Sequence, residues 1–361
     1  MKKVAIIGTV GVPANYGGFE TLIENIIGDN TPSDVQYTIY CSSSNYSNKI
    51  KKYKKAQLKY ISLEANGIQS IFYDIISLIK ASINNDIILI LGVSGCCFLP
   101  IYRLFSQKKL IINIDGLEHR RAKWNKWIKQ FLKFSEAMAI KYADTIISDN
   151  KAIQDYVKKE YNHDSILIAY GGDHVFTNIS TEFEFQILQK YKLTKNQYSF
   201  SVCRIEPENN IHITLEAFKQ NGEILVFVGN WSKSDYGKKL LEQYKSCPNL
   251  ILLPPIYDLN ILNALRKNCF AYIHGHSAGG TNPSLVEAMF FNKPILAYDV
   301  TYNRETTCNQ ALYFKDETEL QTILNTLKQN NEGCLIGKKM LSIAQKYYTW
   351  NNIAKQYGKL Y

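Results

Sequence analysis

The stretch HGHSAGGTNPSLVEAM, residues 274–289, follows a short apolar segment at residues 270–273. The apolar segment predicts a buried strand. Asn282-Pro283 is typical of a helix start, because Asn is a favoured N-cap and Pro a favoured first helical residue. Between them, Gly279 and Gly280 leave backbone N–H groups without a side chain to cover them. Together with the positive end of the helix, these groups predict an anion-binding loop after a strand.

Glu287 lies about one turn inside this predicted helix. At that position its carboxylate can accept hydrogen bonds from the vicinal hydroxyls of a ribose. The alternative is a capping box, in which Glu287 acts with Ser284 at the helix start. Because Pro283 makes Asn282 the better cap, the ribose interpretation is favoured.

Outward from this stretch, short apolar segments alternate with segments of helical periodicity along the chain. This alternation predicts parallel sheets covered by helices on both faces. The predicted strands lie at residues 4–7, 36–41, 87–91, 110–114, 145–148 and 165–168, and then at 198–203, 223–228, 250–253, 270–273 and 295–298. We therefore predict two Rossmann-like, doubly wound domains that face a cleft. They span residues 1–172 and 173–344, and a C-terminal helix at about 345–361 returns to the first.

The composition excludes several classes of protein. Of the 361 residues, 46% are hydrophobic and 20% are charged, which excludes disorder, collagen and coiled coil. The eight cysteines contain no CxxC and predict neither a disulfide framework nor a zinc site. The longest apolar stretch, residues 87–102, is too short to cross a bilayer. These features predict a reduced, cytoplasmic protein without a membrane span.

The formal net charge is +10, and Lys and Arg concentrate at residues 49–59 and 120–133. A basic face indicates an anionic partner, which can be nucleic acid, a phosphorylated substrate or an anionic membrane. No nucleic-acid recognition motif accompanies the charge, so we expect no nucleic-acid partner. We interpret residues 49–59 as a solvated face.

Two further loops follow predicted strands, where ligands of such folds bind. In residues 8–18, Gly17 and Gly18 stand just before a helix, and their N–H groups can face a phosphate. The alternative is a tight strand-to-helix turn. This loop lacks the GxGxxG spacing, and the second strand ends without an acidic residue, which disfavours a dehydrogenase. Arg204 follows a strand and suits a diphosphate, although a surface ion pair is the alternative.

The histidines do not predict a metal site. His274 and His276 can share a strand face, but no third ligand is close in sequence, and no DxD occurs. We therefore expect no metal. His276, beside the predicted anion loop, is a candidate for a hydrogen bond to a sugar or a diphosphate.

Four motifs occur in order, at residues 13–20, 113–124, 204–218 and 274–289. In combination, and over essentially the whole chain, they resemble those of retaining glycosyltransferases of family 4, which have the GT-B fold. The PANYGGFE and NIDGLEHRRAKW stretches are similar, more narrowly, to those of bacterial polysaccharide rhamnosyltransferases. The resemblance implies a two-domain enzyme that takes a nucleotide sugar as donor and needs no further cofactor.

The resemblance also implies roles for individual residues at the donor. These are Gly17 and Gly18 beside the diphosphate, Arg204 as its countercharge, the backbone of Gly280, Thr281 and Asn282 around the donor, and Glu287 at the ribose. Asn209 is a donor-side position where the family has a Lys, and Gly279 replaces the first Glu of the Glu-x7-Glu motif. Both departures occur in the rhamnosyltransferase-like subgroup, and both change the contacts expected for the sugar hydroxyls.

For the acceptor, the motif after the strand at 110–114 offers Asp115, Glu118 and His119. Each can orient the acceptor hydroxyl, and the alternative for each is a hydrogen bond within the loop. The basic, aromatic segment that follows contains Lys123, Trp124 and Trp127 at the start of a predicted helix. This helix either packs on the core with a solvated basic face or lies on an anionic membrane.

We therefore predict a catalytic set of Asp115, Arg204 and Glu287 in a retaining glycosyltransferase on the inner face of the cell membrane. The expected reaction moves L-rhamnose from dTDP-β-L-rhamnose to a polyprenyl-diphosphate-linked saccharide during capsule or surface-polysaccharide synthesis. A nucleotide-sugar epimerase of the same fold, a transferase that uses a UDP- or GDP-sugar, and a non-catalytic nucleotide-sugar-binding subunit are the alternatives.

Overall fold

In a computed structural model, the chain divides into two units. A sheet of mostly parallel strands forms the centre of each unit. The structure describes residues 1–14, 17–29, 31–121, 124–330 and 332–361. Unit 1 comprises Met1–Tyr170 and Trp350–Tyr361, and unit 2 comprises Gly171–Thr349. The prediction of an α/β protein with two parallel sheets is confirmed.

Unit 1 contains an eight-stranded sheet with the order β3-β4-β2-β1-β5-β6-β7-β8. All neighbouring strands are parallel except β3, which is antiparallel to β4. The strands are β1 (Lys2–Ile7), β2 (Val35–Ser42), β3 (Lys52–Tyr53), β4 (Ala56–Ile61), β5 (Ile87–Leu91), β6 (Lys109–Asn113), β7 (Thr145–Ser148) and β8 (Ile166–Leu167). The helices between them are α1 (Gly18–Ile26), α2 (Gln69–Asn84), α3 (Leu99–Tyr102), α4 (Lys126–Tyr142) and α5 (Lys151–Tyr161).

Strand β5, with the sequence IILIL, is buried along its whole length. A continuous apolar run is expected for a parallel strand that is covered on both faces. By contrast, β3 and β4 are absent from the strands predicted from the sequence. Strand β3 lies in the basic stretch at residues 49–59 and β4 begins there, where Ala56 and Leu58 are buried while Gln57 between them is exposed. The lysines around them conceal this alternation, so the interpretation of the whole stretch as a solvated face was wrong for β4.

Unit 2 contains a six-stranded sheet with the order β11-β10-β9-β12-β13-β14, and all of its pairs are parallel. Its elements after α6 (Thr181–Lys190) are β9 (Tyr198–Val202), α7 (Ile211–Asn221), β10 (Ile224–Val228), α8 (Asp235–Tyr244), β11 (Leu250–Leu253), α9 (Leu259–Asn268), β12 (Tyr272–His274), α10 (Pro283–Met289), β13 (Ile295–Tyr298), α11 (Thr301–Thr306), β14 (Leu312–Phe314), α12 (Glu317–Gln329) and α13 (Glu332–Tyr347).

The strand order of each sheet reverses at one point. In unit 1 the reversal lies between β1 and β5, and in unit 2 between β9 and β12. Loops that leave the carboxyl ends of such neighbouring strands diverge and leave a crevice, where ligands of open α/β sheets bind. In unit 2 the loops at this point contain Arg204 and residues 275–282, so the fold brings together two of the sequence motifs.

The last helix, α14 (Trp350–Gly358), packs in unit 1. Trp350, Ile353 and Tyr357 are buried in the same apolar core as β1 and β2. The Tyr357 hydroxyl accepts a hydrogen bond of 3.1 Å from Asn113 Nδ2 at the end of β6. The last helix therefore supports the strand end that precedes Asp115. Among the described helices, none is both long and apolar enough to cross a bilayer.

Replacing Ile353 by Ala should lower the free energy of unfolding by about 2–5 kcal/mol, because it removes a fully buried side chain and leaves a cavity. Lys355→Ala is the matched control on the exposed face of α14 and should change it by less than about 0.5 kcal/mol. Urea unfolding measures both. Equal values for the two variants would show that α14 does not contribute to the core.

Candidate active site

In unit 2, hydrogen bonds join the turn after β9 to the loop after β12. Ser277 donates to the Glu208 carbonyl oxygen from its backbone N–H (2.9 Å) and from its hydroxyl (2.8 Å). Asn210 Nδ2 donates to the Gly275 carbonyl oxygen (2.9 Å). A Cβ at position 275 would lie 2.2 Å from the Asn209 carbonyl oxygen, so the close approach requires glycine. The motifs at 204–218 and 274–289 therefore form one structure.

Arg204 is exposed, two residues beyond the end of β9. Its carbonyl oxygen accepts a 2.7 Å hydrogen bond from Asn209 Nδ2, and the Asn209 side chain is buried. Asn209 thus stabilises the backbone of the turn by a hydrogen bond, whereas the Lys of the resembled family would add a positive charge at this position. The exposed guanidinium of Arg204 has the position and charge to bind an anion at this edge of the sheet.

The loop after β12 leads into α10 as predicted, with Asn282 at the N-cap and Pro283 as the first helical residue. The Asn282 side chain makes no capping hydrogen bond within the described residues. Gly280 and Thr281, just before it, are buried. Backbone N–H groups at a helix start that lacks a side-chain cap are suited to hydrogen-bond an anionic ligand.

The carboxylate of Glu287 contacts two side chains that the sequence did not connect with it. Arg266 Nη2 donates to Glu287 Oε2, and His174 Nε2 lies 3.7 Å from Glu287 Oε1. Arg266 is on α9, and its side chain is only 2% exposed. The capping-box alternative with Ser284 is wrong for this structure, because the Glu287 carboxylate is oriented by Arg266.

His274 and His276 stack with ring centroids 4.3 Å apart and an interplanar angle of 7°. Burial lowers the pKa of His274 to about 3, so this ring is neutral at physiological pH. The His276 ring is also buried, and its carbonyl oxygen accepts a hydrogen bond of 2.8 Å from Asn303. His276 therefore lies at the start of the predicted anion-binding loop, and its ring stacks on the neutral ring of His274.

In unit 1, two glutamates of α1 hold the glycine-rich loop after β1. Glu20 Oε1 accepts hydrogen bonds from the Thr9 hydroxyl (2.6 Å) and the Val10 N–H (2.8 Å), and burial raises the pKa of Glu20. Glu24 Oε2 accepts one from the Ala14 N–H (2.6 Å). The Val10 and Ala14 N–H groups are therefore used within the loop and are not open to a phosphate.

Gly17 and Gly18 lie at the other end of this loop. Gly17 is the N-cap of α1 with φ +108°, and a Cβ there would approach Glu20 Oε2 to 2.3 Å. Among the described residues, no side chain caps this end of α1. Gly17 is thus required by the backbone, and the start of α1 remains the part of the loop suited to an anion.

Asp115 follows β6 in an uncommon left-handed conformation, with φ +59°. Its N–H donates to Asn113 Oδ1 (3.0 Å). Its charge adds to the effect of burial in raising the pKa of Glu20. Because β1 and β6 are parallel strands of one sheet, the loops after them leave from the same edge, and Asp115 lies on that edge with the glycine-rich loop.

The next residues of the motif fold around two carboxylates. Glu118 accepts a 3.0 Å hydrogen bond from Trp124 Nε1, and its other oxygen lies 2.7 Å from Arg121 Nε. His119 Nδ1 lies 3.0 Å from Glu136 Oε2 of α4. Glu118 and Trp124 thus stabilise the loop through their mutual contact, while His119 belongs to a separate cluster.

The helix predicted to start near Lys123 is observed as α4, which begins at Lys126. Lys123 lies outside the described residues. Leu132 and Ile140 of α4 are buried, as core packing requires, but Trp127 is 80% exposed and Phe134 51% exposed. Core packing therefore does not account for these two aromatic side chains.

Within the described ranges, no group of three or more His, Cys, Asp or Glu side chains is arranged to hold a metal ion. Sequence reasoning missed Arg266 and His174 beside Glu287 in unit 2, and Glu136 beside His119 in unit 1. Arg266 had a detectable signal, because it falls four residues after Leu262 on the buried face of α9, where a charged residue needs a partner. For His174 and Glu136 we find no comparable local signal.

Arg266→Met should lower the free energy of unfolding by about 3 kcal/mol, because it leaves the half-buried Glu287 carboxylate without its partner. The control is Arg304→Met, which removes the more exposed pair with Asp299 and should cost about 1 kcal/mol or less. Urea unfolding of both variants measures the difference. A cost for Arg266→Met no larger than the control's would contradict a structural role for the pair.

Comparison with known families divides the chain in two. Residues 1–173 match the family described as Domain of unknown function (DUF1972), and residues 183–334 match Glycosyl transferases group 1. The chain is also 23% identical over 205 residues to the O-antigen chain mannosyltransferase RfbU of Salmonella typhimurium. That alignment spans 56% of this chain and 56% of the relative.

Two solved structures are similar over the whole chain at 14% identity. A sucrose-phosphate synthase from Thermosynechococcus elongatus has a TM-score of 0.83 and is covered over 98% of its length by the full chain. HepE of Anabaena in complex with UDP-glucose has a TM-score of 0.77, with 100% of this chain and 99% of that chain covered. The chain therefore has the GT-B fold, and its residues 183–334 are similar to the Glycosyl transferases group 1 family.

Proposed function

We propose that the protein is a retaining glycosyltransferase that uses a nucleoside-diphosphate sugar. One observation supports this proposal above the others. The loops that follow β9 and β12, where the strand order reverses, are joined by hydrogen bonds, and both lie in the segment that matches the group 1 family. There the exposed Arg204 follows β9, and the start of α10, without a side-chain cap among the described residues, follows β12. A guanidinium and backbone N–H groups together suit a diphosphate.

In the proposed reaction, Arg204 and the N–H groups near Gly280, Thr281 and Asn282 stabilise the negative charge that develops on the departing nucleoside diphosphate. Glu287, oriented by Arg266, accepts hydrogen bonds from the ribose hydroxyls. His276 lies at the same loop and donates to the sugar or the diphosphate. Asp115 in unit 1 orients the acceptor hydroxyl. The leaving phosphate accepts the proton of that hydroxyl, which attacks the sugar from the face that the phosphate leaves.

L-Rhamnose carried on dTDP is our proposed donor. Gly279 stands where the resembled family has the first Glu of Glu-x7-Glu, so no carboxylate is supplied there for sugar hydroxyls. A 6-deoxy sugar has fewer hydroxyls to satisfy. A UDP-sugar is the second candidate, because the structure of the similar HepE contains UDP-glucose.

Incubation with dTDP-β-L-rhamnose, UDP-glucose or GDP-mannose, with and without a short-chain polyprenyl-diphosphate saccharide, tests the proposal. We expect transfer that depends on the acceptor and keeps the anomeric configuration. Conversion of the nucleotide sugar without an acceptor would instead indicate an epimerase. Binding without any conversion would indicate a non-catalytic subunit.

Arg204→Ala should lower turnover by about 10²-fold or more, because it removes a charge that stabilises the leaving group. Glu287→Ala should mainly weaken donor binding, by roughly 1.5–3 kcal/mol for a lost charged hydrogen bond. Steady-state kinetics and donor titration measure these effects. Lys233→Ala, on the loop after β10, is a surface control that removes a cation outside both motifs.

Two results would overturn this assignment of the donor site. One is unchanged kinetics in folded Arg204→Ala and Glu287→Ala proteins. The other is a requirement for a metal ion, because we propose that Arg204 neutralises the diphosphate without one. Loss of activity in EDTA that Mg²⁺ or Mn²⁺ restores would show that a metal ion does so.

We further propose that unit 1 binds an anionic membrane surface through α4 and takes a lipid-linked acceptor there. Helix α4 contains four lysines, and its single acidic residue, Glu136, is buried. Its exposed Trp127 and Phe134 suit the interface of a bilayer.

A shallow groove at the start of α4 is lined by Trp124, Lys126, Lys129, Gln130 and Lys133. This groove combines an aromatic wall with cations, which suits a lipid diphosphate and its sugar.

Replacing Lys126 and Lys129 by Glu should release the protein from anionic liposomes, because each cation near the surface adds on the order of 1 kcal/mol. The matched control is Lys51→Glu with Lys52→Glu, an equal charge change at exposed positions of the other basic stretch. Sedimentation with liposomes measures binding. If both double variants behave alike, the net charge and not α4 determines the interaction.

A further inference from the structure

Glu136 is the centre of a cluster that the proposed mechanism does not use. Its side chain is 1% exposed, and three side chains lie within 3.0 Å of its two oxygens. Tyr156 and Tyr161 each donate a 2.7 Å hydrogen bond to Oε1, and His119 Nδ1 lies 3.0 Å from Oε2. Three donors on one buried carboxylate fix its position and that of the groups around it.

The protonation of this cluster follows from its contacts. Burial opposes ionisation of Glu136, but the hydrogen bonds from His119, Tyr156 and Tyr161 outweigh it and lower the pKa of the carboxyl. Burial and the Glu136 carboxylate raise the pKa of both phenols, which therefore remain donors. An ionised carboxylate can only accept, so Nδ1 of His119 must carry a hydrogen.

Cations and rings enclose the cluster. The Arg120 guanidinium lies 4.6 Å from the Tyr156 ring centroid, and Lys133 Nζ lies 4.8 Å from it. Lys133 is also 3.7 Å from Glu136 Oε1 and 2.9 Å from Glu160 Oε1. Lys133 lines the groove described above, so the groove and His119 share Glu136 as a neighbour.

Resting on the proposed function, we propose that Glu136 is a positioning residue for the acceptor. Through its hydrogen bond to Nδ1, Glu136 holds the His119 imidazole so that Nε2 accepts a hydrogen bond from a hydroxyl of the acceptor saccharide. Nε2 makes no hydrogen bond within the described residues, and the His119 side chain is partly exposed. The tautomer of a histidine is set by the bond at its other nitrogen, and here a buried carboxylate makes that bond.

The loop supports this assignment. His119 lies in a 3-10 turn, Glu118–Arg120, and the two residues Asp115 and Leu117 just before it have φ +59° and +54°. Non-glycine residues in this conformation are concentrated at functional sites, where the surrounding structure maintains the strain. Both Asp115 and His119 are therefore presented by one strained loop at the end of β6.

Glu136→Gln keeps the shape of the side chain, but its amide can donate to Nδ1 and so favour the opposite tautomer. We expect kcat/KM for the acceptor to fall on the order of 10-fold or more, with donor KM unchanged. The matched control is Glu160→Gln, the same substitution at another partner of Lys133 that does not contact His119. It should stay within about 3-fold of the wild type, since it alters only a surface pair.

A double-mutant cycle separates positioning from stability. If Glu136 acts through His119, Glu136→Gln should have no further effect on acceptor kcat/KM in a His119→Ala background. Effects that multiply in the double variant, or an unaltered Glu136→Gln single variant, would overturn the proposal.

Nitrogen NMR of the wild-type protein labelled with ¹⁵N-histidine gives a test that does not depend on activity. At pH 8, His119 should show a protonated Nδ1 and an unprotonated Nε2, with the signals assigned by their loss in His119→Gln. A protonated Nε2 would overturn the positioning role even if transfer is observed. The expected tautomer without any transfer would leave the positioning geometry in place and contradict the proposed activity instead.

Discussion

Parallel pairing of β9 with β12 in unit 2, and of β1 with β5 in unit 1, is the constraint from which the candidate site follows. In both sheets the strand order reverses at this pair. The loops that leave the two strands must therefore turn to opposite sides, which opens a crevice at the carboxyl ends. Arg204 and the loop that begins at Gly275 have their places in unit 2 because of this reversal.

Once the loops are placed, internal polar side chains hold their shape. Glu20 and Glu24 bind the glycine-rich loop, Asn209 binds the Arg204 turn, and Glu118 binds Trp124. The three glutamates satisfy backbone or side-chain donors, and Asn209 satisfies a backbone acceptor, and such groups are costly to bury without a partner. Several residues of the sequence motifs thus serve the loop, and only their neighbours remain available to a ligand.

The sequence predicts the strands well where a strand is a short, nearly continuous apolar run. Residues 87–91, 145–148, 250–253 and 295–298 were predicted with the same bounds that β5, β7, β11 and β13 have in the structure. Continuous apolar runs give that signal directly. It fails for β4, whose alternation is interrupted by lysines, and for β14, which has only three residues.

The site is less accessible to sequence reasoning than the sheets, because its contacts join distant parts of the chain. Asn282 at the N-cap and Pro283 at the helix start were read from local chemistry, and α10 begins there. The contact between Arg266 and Glu287 spans 21 positions, and that between His119 and Glu136 spans 17. No local pattern specifies which residue a buried charge will meet, since the fold determines it.

The distribution of charge links these observations. Around the motifs of unit 1, Glu20 and Glu136 are buried, and the partly buried Glu118 is occupied by Arg121 and Trp124. By contrast, the side chains of Lys126 and Lys129 make no ion pair within the described part of the chain. Near Lys126 and Lys129, the burial of Glu136 and the pairing of Glu118 leave these two carboxylates unable to balance the lysines, so part of the net charge of +10 is concentrated there. Because Glu136 is buried and hydrogen-bonded inside unit 1, the lysines Lys126 and Lys129 on the surface are available to a diphosphate or an anionic surface.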